Sequence, residues 1–404
     1  DLIDHNEDRD RRIQREAKFR MWTEGKSWPW ENASDIAFPD IMEKCLRVQD
    51  TVHNAVMSQS PPVNANANNP NDKEKQRKVE QLLSHQFFSE NPGEKLVGEM
   101  ADAFVNEGTL VVYTPWVKEE REIVDVRHFD PIPAEASPDA YFQEILTHVF
   151  GKAASIAPKT AGQYWDWNVE YARKDGQLAK AACAFYTAED GGVELNIKTE
   201  TTVFDGPCPL VLDDDDILAP PRCANLQAPS PSNPRGAAHC IMRLPIDIDQ
   251  IKRHIKSRYY DAVDYTEDLL KELENYDRDD SQEEPKKARD QFQGVQETKS
   301  TEERSHRDLT LLVCYDLWDA DGDGINEDIV WWVIQEAKMV VRARFLTEVC
   351  PLNPPRRPFS ETQFTPVRGR RKGIGLVEML ETMHDVAKKT MDQATTSLVA
   401  EVSS

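Results

Sequence analysis

The sequence lacks the cysteine pairs that mark a disulfide framework or a zinc site. Seven cysteines are scattered over 404 residues, none of them in a CxxC spacing, and their number is odd. Free thiols of this kind are typical of a reducing compartment. Long apolar runs are also missing: no stretch reaches the roughly 20 residues that a membrane-spanning helix needs, and no secretory signal is visible. We therefore expect free cysteines and no membrane partner.

Basic residues are scarce relative to acidic ones. The chain has 49 Lys and Arg against 72 Asp and Glu, which gives a formal net charge of −23. An acidic surface repels phosphates, so the composition excludes a protein that grips nucleic acid with its whole surface. A local basic patch, or an acidic passage through which DNA slides without adhering, is compatible with this charge.

Signatures of enzymes are absent as well. The sequence contains no Walker loop, GxSxG, HExxH or GxGxxG, and the segment KGIGLVE (372–378) offers a single GxG that follows loop residues rather than a strand. The acidic run DDDD (213–216) lies in a Pro-rich segment without a nearby His or Lys. We interpret this run as a solvated loop or a partner contact rather than as a nuclease metal site. We predict no enzymatic activity and no catalytic residue.

Apolar residues at helical spacing predict helices near both ends of the chain. Ile41, Cys45, Val48 and Val52 form one stripe, and Asp40 is placed to cap that helix. Further helices are predicted over 73–90, 94–107, 140–152 and 266–276. A long helix from about residue 374 has the apolar stripe Leu376, Leu380, Met383, Ala387, Met391, Ala394 and Leu398. Strand patterns alternate with these helices, and the predicted fold class is α+β.

Three strand-like runs follow one another near the end of the chain, at 309–318, 328–334 and 339–346. Their connections have hairpin length, which predicts a small antiparallel meander. Both faces of the run IVWWVI are apolar, so both need cover, either from the rest of the chain or from a neighbouring subunit. The candidate inter-subunit contacts are Trp318, Trp331 and Trp332. The nearly apolar-free segment 277–308 is predicted to be an exposed linker.

The turn DADGDG in this meander resembles the beginning of an EF-hand calcium loop. The candidate metal ligands are Asp319, Asp321, Asp323 and Glu327, with Gly324 at the sixth position. Position 12 is Val330, which cannot supply the bidentate carboxylate, and strands rather than helices flank the loop. A hairpin turn is the interpretation we favour, and a calcium-binding interaction or adhesion module is the alternative. No other cofactor is expected.

A basic cluster stands out in this acidic chain. Its members are Arg356, Arg357, Arg368, Arg370, Arg371 and Lys372, and Lys388 and Lys389 follow on the last helix. Contact with DNA or a partner is one interpretation, for which we single out Arg368, Arg370, Arg371, Lys372, Lys388 and Lys389. Structural pairing with carboxylates is the other interpretation, and for the cluster it is the one we favour.

Several segments, in this order, resemble tailed-bacteriophage portal proteins, the head-to-tail connectors of the capsid vertex. The N-terminal segment is WPWENASDIAFPDIMEKCLRVQDTV, and KVEQLLSHQFF and EMADAFVNEGTLVVYTPW follow it. LVLDDDDILAPPRCANLQAPS and IDIDQIKRHIKSRYYDAV are similar to later parts of the wing. CYDLWDADGDGINEDIVWWVI, RPF and KGIGLVEMLETMHDVAKKTMDQ are similar to the clip strands, the following loop and the stem helix. The order of the segments matters more than any single one, and region 118–205 resembles the family least.

The resemblance implies a non-enzymatic subunit of a ring, usually dodecameric, at one vertex of the capsid. Double-stranded DNA would pass through the axis of the ring during packaging and ejection. The implied partners are the terminase large subunit, then adaptor and tail proteins, and the major capsid and scaffolding proteins. The implied location is the virion, with assembly in the host cytoplasm.

The resemblance also suggests how the chain is divided. We expect a wing over 1–245, stem-proximal helices and an acidic linker over 246–308, a clip over 309–360, and a basic loop with the stem helix over 361–404. A channel helix and crown, which follow the stem helix in this family, are expected to be absent from this sequence.

Overall fold

A computed structural model gives the architecture of the chain. It describes residues 2–23, 35–58, 65, 73–133, 135–160, 163–172, 178–188, 191–257, 259–261, 273, 308–320, 322–350 and 352–403. The helix predicted over 266–276 and the linker predicted over 277–308 lie almost entirely outside the described residues. The chain forms two compact units, one made of Asp1–Pro115 with Pro209–Ser404 and the other of Trp116–Cys208.

Helices and strands share the described residues. The helices are α1 (Leu2–Phe19), α2 (Asp40–Met57), α3 (Lys73–His85), α4 (Gly93–Asp102), α5 (Pro138–Phe150), α6 (Ile248–Lys256), α7 (Leu346–Val349) and α8 (Leu376–Ser403). The strands are β1 (Thr109–Tyr113), β2 (Trp116–Phe129), β3 (Ser155–Thr160), β4 (Gln163–Ala172), β5 (Leu178–Thr187), β6 (Val193–Pro207), β7 (Leu210–Leu212), β8 (Ile217–Leu218), β9 (Cys240–Asp247), β10 (Asp308–Trp318), β11 (Glu327–Ile334), β12 (Met339–Phe345) and β13 (Phe359–Gln363). The three sheets formed by the described residues are antiparallel, in agreement with the predicted α+β class.

The helical part of the first unit is built on the stripe predicted for α2. Ile41 and Cys45 are fully buried, and they pack with Val105 and Val377 of the neighbouring helical segments. The prediction that Asp40 caps this helix is wrong, because Pro39 occupies the N-cap position and no side chain caps the helix.

The predicted meander is part of a larger sheet in the first unit. Strands β10, β11 and β12 pair in sequence, as the registers Val313↔Trp332 and Trp332↔Arg342 show. The sheet continues with β9 and β8, so its order is β12-β11-β10-β9-β8. Strand β9 pairs with β10 from Asp308↔Asp247 to Tyr315↔Cys240. The predicted clip strands therefore share a sheet with residues that we had placed in the wing. The functional division into wing, stem and clip stays a prediction.

The second sheet of this unit has the order β13-β1-β7. The basic loop predicted from residue 361 begins inside a strand instead, because Phe359–Gln363 forms β13. Phe359 explains the difference, because its ring packs against Tyr113 at 5.4 Å and Tyr315 at 5.3 Å between centroids.

The two glycines of KGIG, Gly373 and Gly375, allow their backbone to pass close to the backbone of residues 106–108, just before β1. A Cβ on Gly375 would overlap the carbonyl oxygen of Asn106, and a Cβ on Gly373 would overlap that of Gly108. Gly108 itself has a φ of 78°, a conformation that glycine adopts readily. The glycines thus allow two segments to meet, a packing role and not a nucleotide-binding one.

The second unit is an antiparallel sheet of order β2-β6-β5-β4-β3 with α5 on one face. Phe142 of α5 stacks on Phe185 of β5, with 4.1 Å between ring centroids. Alternate residues of β5 are buried, which places the core on one side of the sheet. Among the helices of the described segments, none is both long and apolar enough to cross a membrane.

Candidate DNA-contact and subunit-contact site

The basic loop before α8 is anchored on a buried aspartate. Asp214 lies in a single 3₁₀ turn. It forms ion pairs with Arg371 and with Lys372, whose Nζ lies 2.8 Å from Asp214 Oδ2. Burial alone raises the pKa of Asp214, but the charges of Arg371, Lys372 and Arg12 outweigh burial and hold this pKa well below its usual value. Our expectation of a solvated acidic run is therefore wrong for Asp214.

Arg357 is a second buried member of the basic cluster. Its guanidinium forms an ion pair with Asp328, at 3.1 Å between Nη2 and Oδ1. Pairing with carboxylates, the interpretation that we favoured, thus describes Arg357, Arg371 and Lys372 in this structure.

The other members of the cluster are open to solvent. Arg356, Arg368 and Arg370 are exposed. Arg370 also borders a cavity of about 310 Å³, together with Lys372 and residues of α1. A contact of Arg368 or Arg370 with DNA stays a prediction. Both side chains have the exposure to solvent that such a contact requires.

After its first two turns, helix α8 contacts its own chain through polar side chains. Buried His384 has its Nδ1 atom 2.7 Å from Asp40 Oδ1. Asp392, also buried, accepts a hydrogen bond at 3.1 Å from the backbone N–H of Ile36. Of the two predicted DNA contacts on this helix, Lys388 forms an ion pair with Asp35 at 2.8 Å. Lys389 is exposed.

From Met383 onward, α8 turns its apolar side away from the chain. Leu376 and Leu380, at the beginning of the predicted stripe, pack on the core with α2. Met383 is 69% exposed, and the other large exposed apolar residues of this helix are Met379, Val386, Met391, Leu398 and Val399. The predicted stripe therefore splits into a short packed part and a long uncovered part.

The three candidate tryptophans lie in different environments. Trp332 is only 5% exposed. It is covered within the chain by Arg342, whose guanidinium carbon lies 4.7 Å from its ring centroid. Trp318 is 56% exposed and meets half-buried Trp331 edge to face at 6.3 Å. Trp318 therefore has an exposed surface with which it could contact another subunit, whereas Trp332 is already packed within its own chain.

The acidic loop joins β10 to β11 as a hairpin, and its carboxylates bind backbone N–H groups. Asp319 accepts hydrogen bonds from Gly322 at 2.7 Å and from Gly324 at 2.9 Å. Asp323 accepts one from Ile325 at 2.7 Å. Both glycines have positive φ angles, 77° and 86°. These contacts are those of a side-chain-supported turn, the interpretation that we favoured.

Asp321, one of the four candidate calcium ligands, lies outside the described residues. Glu327 accepts a hydrogen bond at 3.0 Å from the backbone N–H of Ala320. In the parts of the chain that the structure covers, no group of three or more His, Cys, Asp or Glu side chains is placed to hold a metal ion.

Sequence reasoning missed the basic residues of α1. Arg12, Arg15 and Lys18 all form ion pairs with distant carboxylates. Their three-residue spacing was the available signal, because residues three apart lie on the same side of a helix. The acidic partners of Arg12 lie in the middle of the chain, and those of Arg15 and Lys18 lie on α8. Spacing alone does not identify them.

Comparison with models of known protein families identifies the family of this chain. Residues 5–391 match the family model described as Phage SU10 portal protein. The chain belongs to this family of phage portal proteins. The match confirms the resemblance to tailed-phage portal proteins, and it includes region 118–205, which resembled the family least. No curated protein matched the chain. The family is one of structural head-to-tail connectors, and the roles of the candidate residues stay predictions.

Proposed function

We propose that copies of this chain form the portal ring at the unique vertex of a phage capsid. The axis of the ring conducts double-stranded DNA during packaging and ejection. The terminase large subunit docks on the ring first, and adaptor and tail proteins follow. The assembly takes place in the host cytoplasm, with capsid and scaffolding proteins as partners, and the usual portal number of twelve copies is the expected one. Family membership over residues 5–391 supports this proposal.

The observation that carries the proposal is the reversed amphipathicity of α8. A helix in a self-contained fold turns its apolar side to the core. Beyond Leu380, helix α8 turns polar side chains to its own chain, while Met383, Val386 and Leu398 remain exposed. Removing apolar surface from water contributes about 25 cal/mol per Å². Identical neighbours arranged around an axis supply that cover to every copy at once.

The charge distribution supports DNA passage without tight binding. A net charge of −23 repels phosphates. Arg368, Arg370 and Lys389 are exposed and give a few local points at which phosphates are attracted. Trp318 and the acidic turn lie together at one end of the β10–β11 hairpin, which we assign to docking of terminase and adaptor.

The test of this proposal is the particle formed by the purified chain. Negative-stain images and native mass measurement should show a closed ring with an axial hole. The double variant Met383→Glu/Val386→Glu should abolish the ring and leave the helical content of the chain unchanged, because both side chains are exposed in one copy. Met383→Leu/Val386→Ile, which keeps both exposed positions apolar, is the matched control and should assemble normally. A chain that stays monomeric at high concentration contradicts the proposal.

A further inference from the structure

Helix α1 is attached to α8 by a row of ion pairs between basic residues of α1 and acidic residues of α8. Arg15 lies 3.1 Å from Glu378 and 3.3 Å from Glu381. Lys18 lies 2.7 Å from Glu381 and 2.9 Å from Asp385. Partial burial lowers the pKa of Lys18, but its hydrogen bonds to Glu381 and Asp385 outweigh burial and raise this pKa above the ordinary value.

A second set of carboxylates holds the middle of α1. Arg12 forms an ion pair with Asp215 and lies 3.6 Å from Asp213 and 3.5 Å from Asp214. No side chain that the structure describes in α1 is fully buried. Phe19, at its end, packs partly against the core between α2 and α8. Charge therefore supplies most of the attachment of this helix.

An attachment of this kind is reversible. The ion pairs of Arg15 and Lys18 with α8 are partly open to solvent. Pairs of this kind each contribute at most about 1 kcal/mol, and salt weakens them. Helix α1 ends at Phe19, and the chain is next held on α8 at Asp35, by its ion pair with Lys388. At about 3.3 Å per residue, the 15 residues 20–34 can span at most roughly 50 Å. This length sets how far α1 can move from its own position toward the corresponding surface of another copy.

We propose that the acidic surface beneath α1 is an exchangeable docking site for a cationic helix. This acidic groove consists of Asp213, Asp215, Glu378, Glu381 and Asp385. In a single chain its occupant is the chain's own α1, and in an assembly its occupant is α1 of a second copy. The inference rests on the proposed assembly of several copies, which brings grooves and helices of different copies within reach.

Two complementary variants test the exchange. The arm variant Arg15→Glu/Lys18→Glu has a native groove and an α1 that the groove repels. The groove variant Glu378→Lys/Glu381→Lys/Asp385→Lys has a native α1 and a groove that repels it. Hydrogen exchange, followed by mass spectrometry of the α1 peptide, reports docking, because an isolated 18-residue helix is only marginally stable in water. Each variant alone should lose α1 protection, and peptides from β10 and β11 should keep theirs.

Mixing the two variants gives the decisive measurement. The native α1 peptide comes only from the groove variant, so its recovered protection in the mixture reports docking on the groove of another chain. Arg47→Glu, which breaks an exposed ion pair with Glu43 on α2, is the control and should leave α1 protection unchanged. In the wild type, raising salt from 0.1 to 1 M, which shortens the Debye length from about 10 to 3 Å, should release α1.

Each outcome decides a different claim. Recovered protection in the mixture supports exchange. An arm variant that keeps full α1 protection overturns the role of charge in holding α1. No recovery in the mixture, with a wild-type chain that still forms rings, overturns exchange and leaves the proposed function intact. No recovery together with no wild-type ring overturns both.

Discussion

Arg357 and Asp328 form an ion pair inside the first unit, with 3.1 Å between Nη2 and Oδ1. The remaining donors of Arg357 bind the carbonyl oxygens of Leu226 at 3.1 Å, Ala237 at 2.8 Å and Ala238 at 3.2 Å. Burial raises the pKa of Asp328, and the charge of Arg357 offsets that effect only in part. This one side chain ties the Pro-rich loop between β8 and β9 to strand β11.

Replacing Arg357 should therefore destabilise the first unit strongly. Arg357→Met leaves Asp328 without its counter-charge and three carbonyl groups without a donor. Removing one partner of a buried pair typically costs about 3–5 kcal/mol, and urea unfolding should show a loss of that size. Arg356→Met is the control, because Arg356 is exposed, and its unfolding curve should match that of the wild type. Equal effects of the two substitutions would contradict this account of Arg357.

The crossing of glycine backbones near β1 gives a second prediction. Gly375→Ala would push a methyl group into the carbonyl of Asn106, and overpacking of this kind costs about 1–3 kcal/mol. Gly98→Ala, in the exposed middle of α4, meets nothing within 4 Å and should stabilise the chain by up to about 1 kcal/mol, the difference in helix propensity. Thermal unfolding of both variants measures the contrast, and a stabilising Gly375→Ala would refute the close approach.

The stability of the first unit should depend on pH through Asp214. The folded pKa of this group is depressed by Arg371, Lys372 and Arg12, against the opposing effect of burial. Its contribution is therefore complete above about pH 4, the ordinary range of Asp, and is lost as the pH falls below that range. Asp214→Asn should lower stability at pH 7 by about 3–5 kcal/mol.

The difference in melting temperature between wild type and Asp214→Asn, measured from pH 7 to pH 2, checks the sign. This gap should be constant near neutrality and shrink below about pH 4. Asp216→Asn is the control, because Asp216 is half exposed and lies 3.8 Å from Arg243. A gap that widens on acidification would show that Asp214 is not held ionised by its neighbours.

The acidic turn should behave as a turn and not as a calcium site. Asp319→Ala removes the acceptor of the N–H groups of Gly322 and Gly324, so the amides of both glycines should exchange faster with solvent. Titration of the wild type with Ca²⁺ in a calorimeter should give no saturable heat at micromolar concentrations. Micromolar binding that Asp321→Ala abolishes would instead establish the metal site.

Local patterns predicted those elements whose residues are neighbours in sequence. The stripe beginning with Ile41 predicted α2, and alternation with short turns predicted the β10–β12 meander. Periodicity did not predict the partner of Asp214, since Arg371 lies 157 positions away. Nor did it predict β13, a short strand whose residues are mostly polar, or the side of α8 that meets the chain. An apolar stripe shows that a helix has two faces, but the remainder of the fold decides which face is covered.

Substitutions of Trp332 and Trp318 should have different effects: the first on the stability of the sheet, the second on contacts with partners. Trp332 is 5% exposed and lies beneath Arg342, so Trp332→Ala should lower the free energy of unfolding by about 3–5 kcal/mol. Trp318 is 56% exposed, and Trp318→Ala should change stability by less than about 1 kcal/mol. If Trp318 serves contacts between subunits or with terminase, its variant should still fold like the wild type in urea yet show weaker ring assembly or terminase binding. A Trp318→Ala chain that assembles and binds terminase normally would restrict the role of this residue to its edge-to-face contact with Trp331.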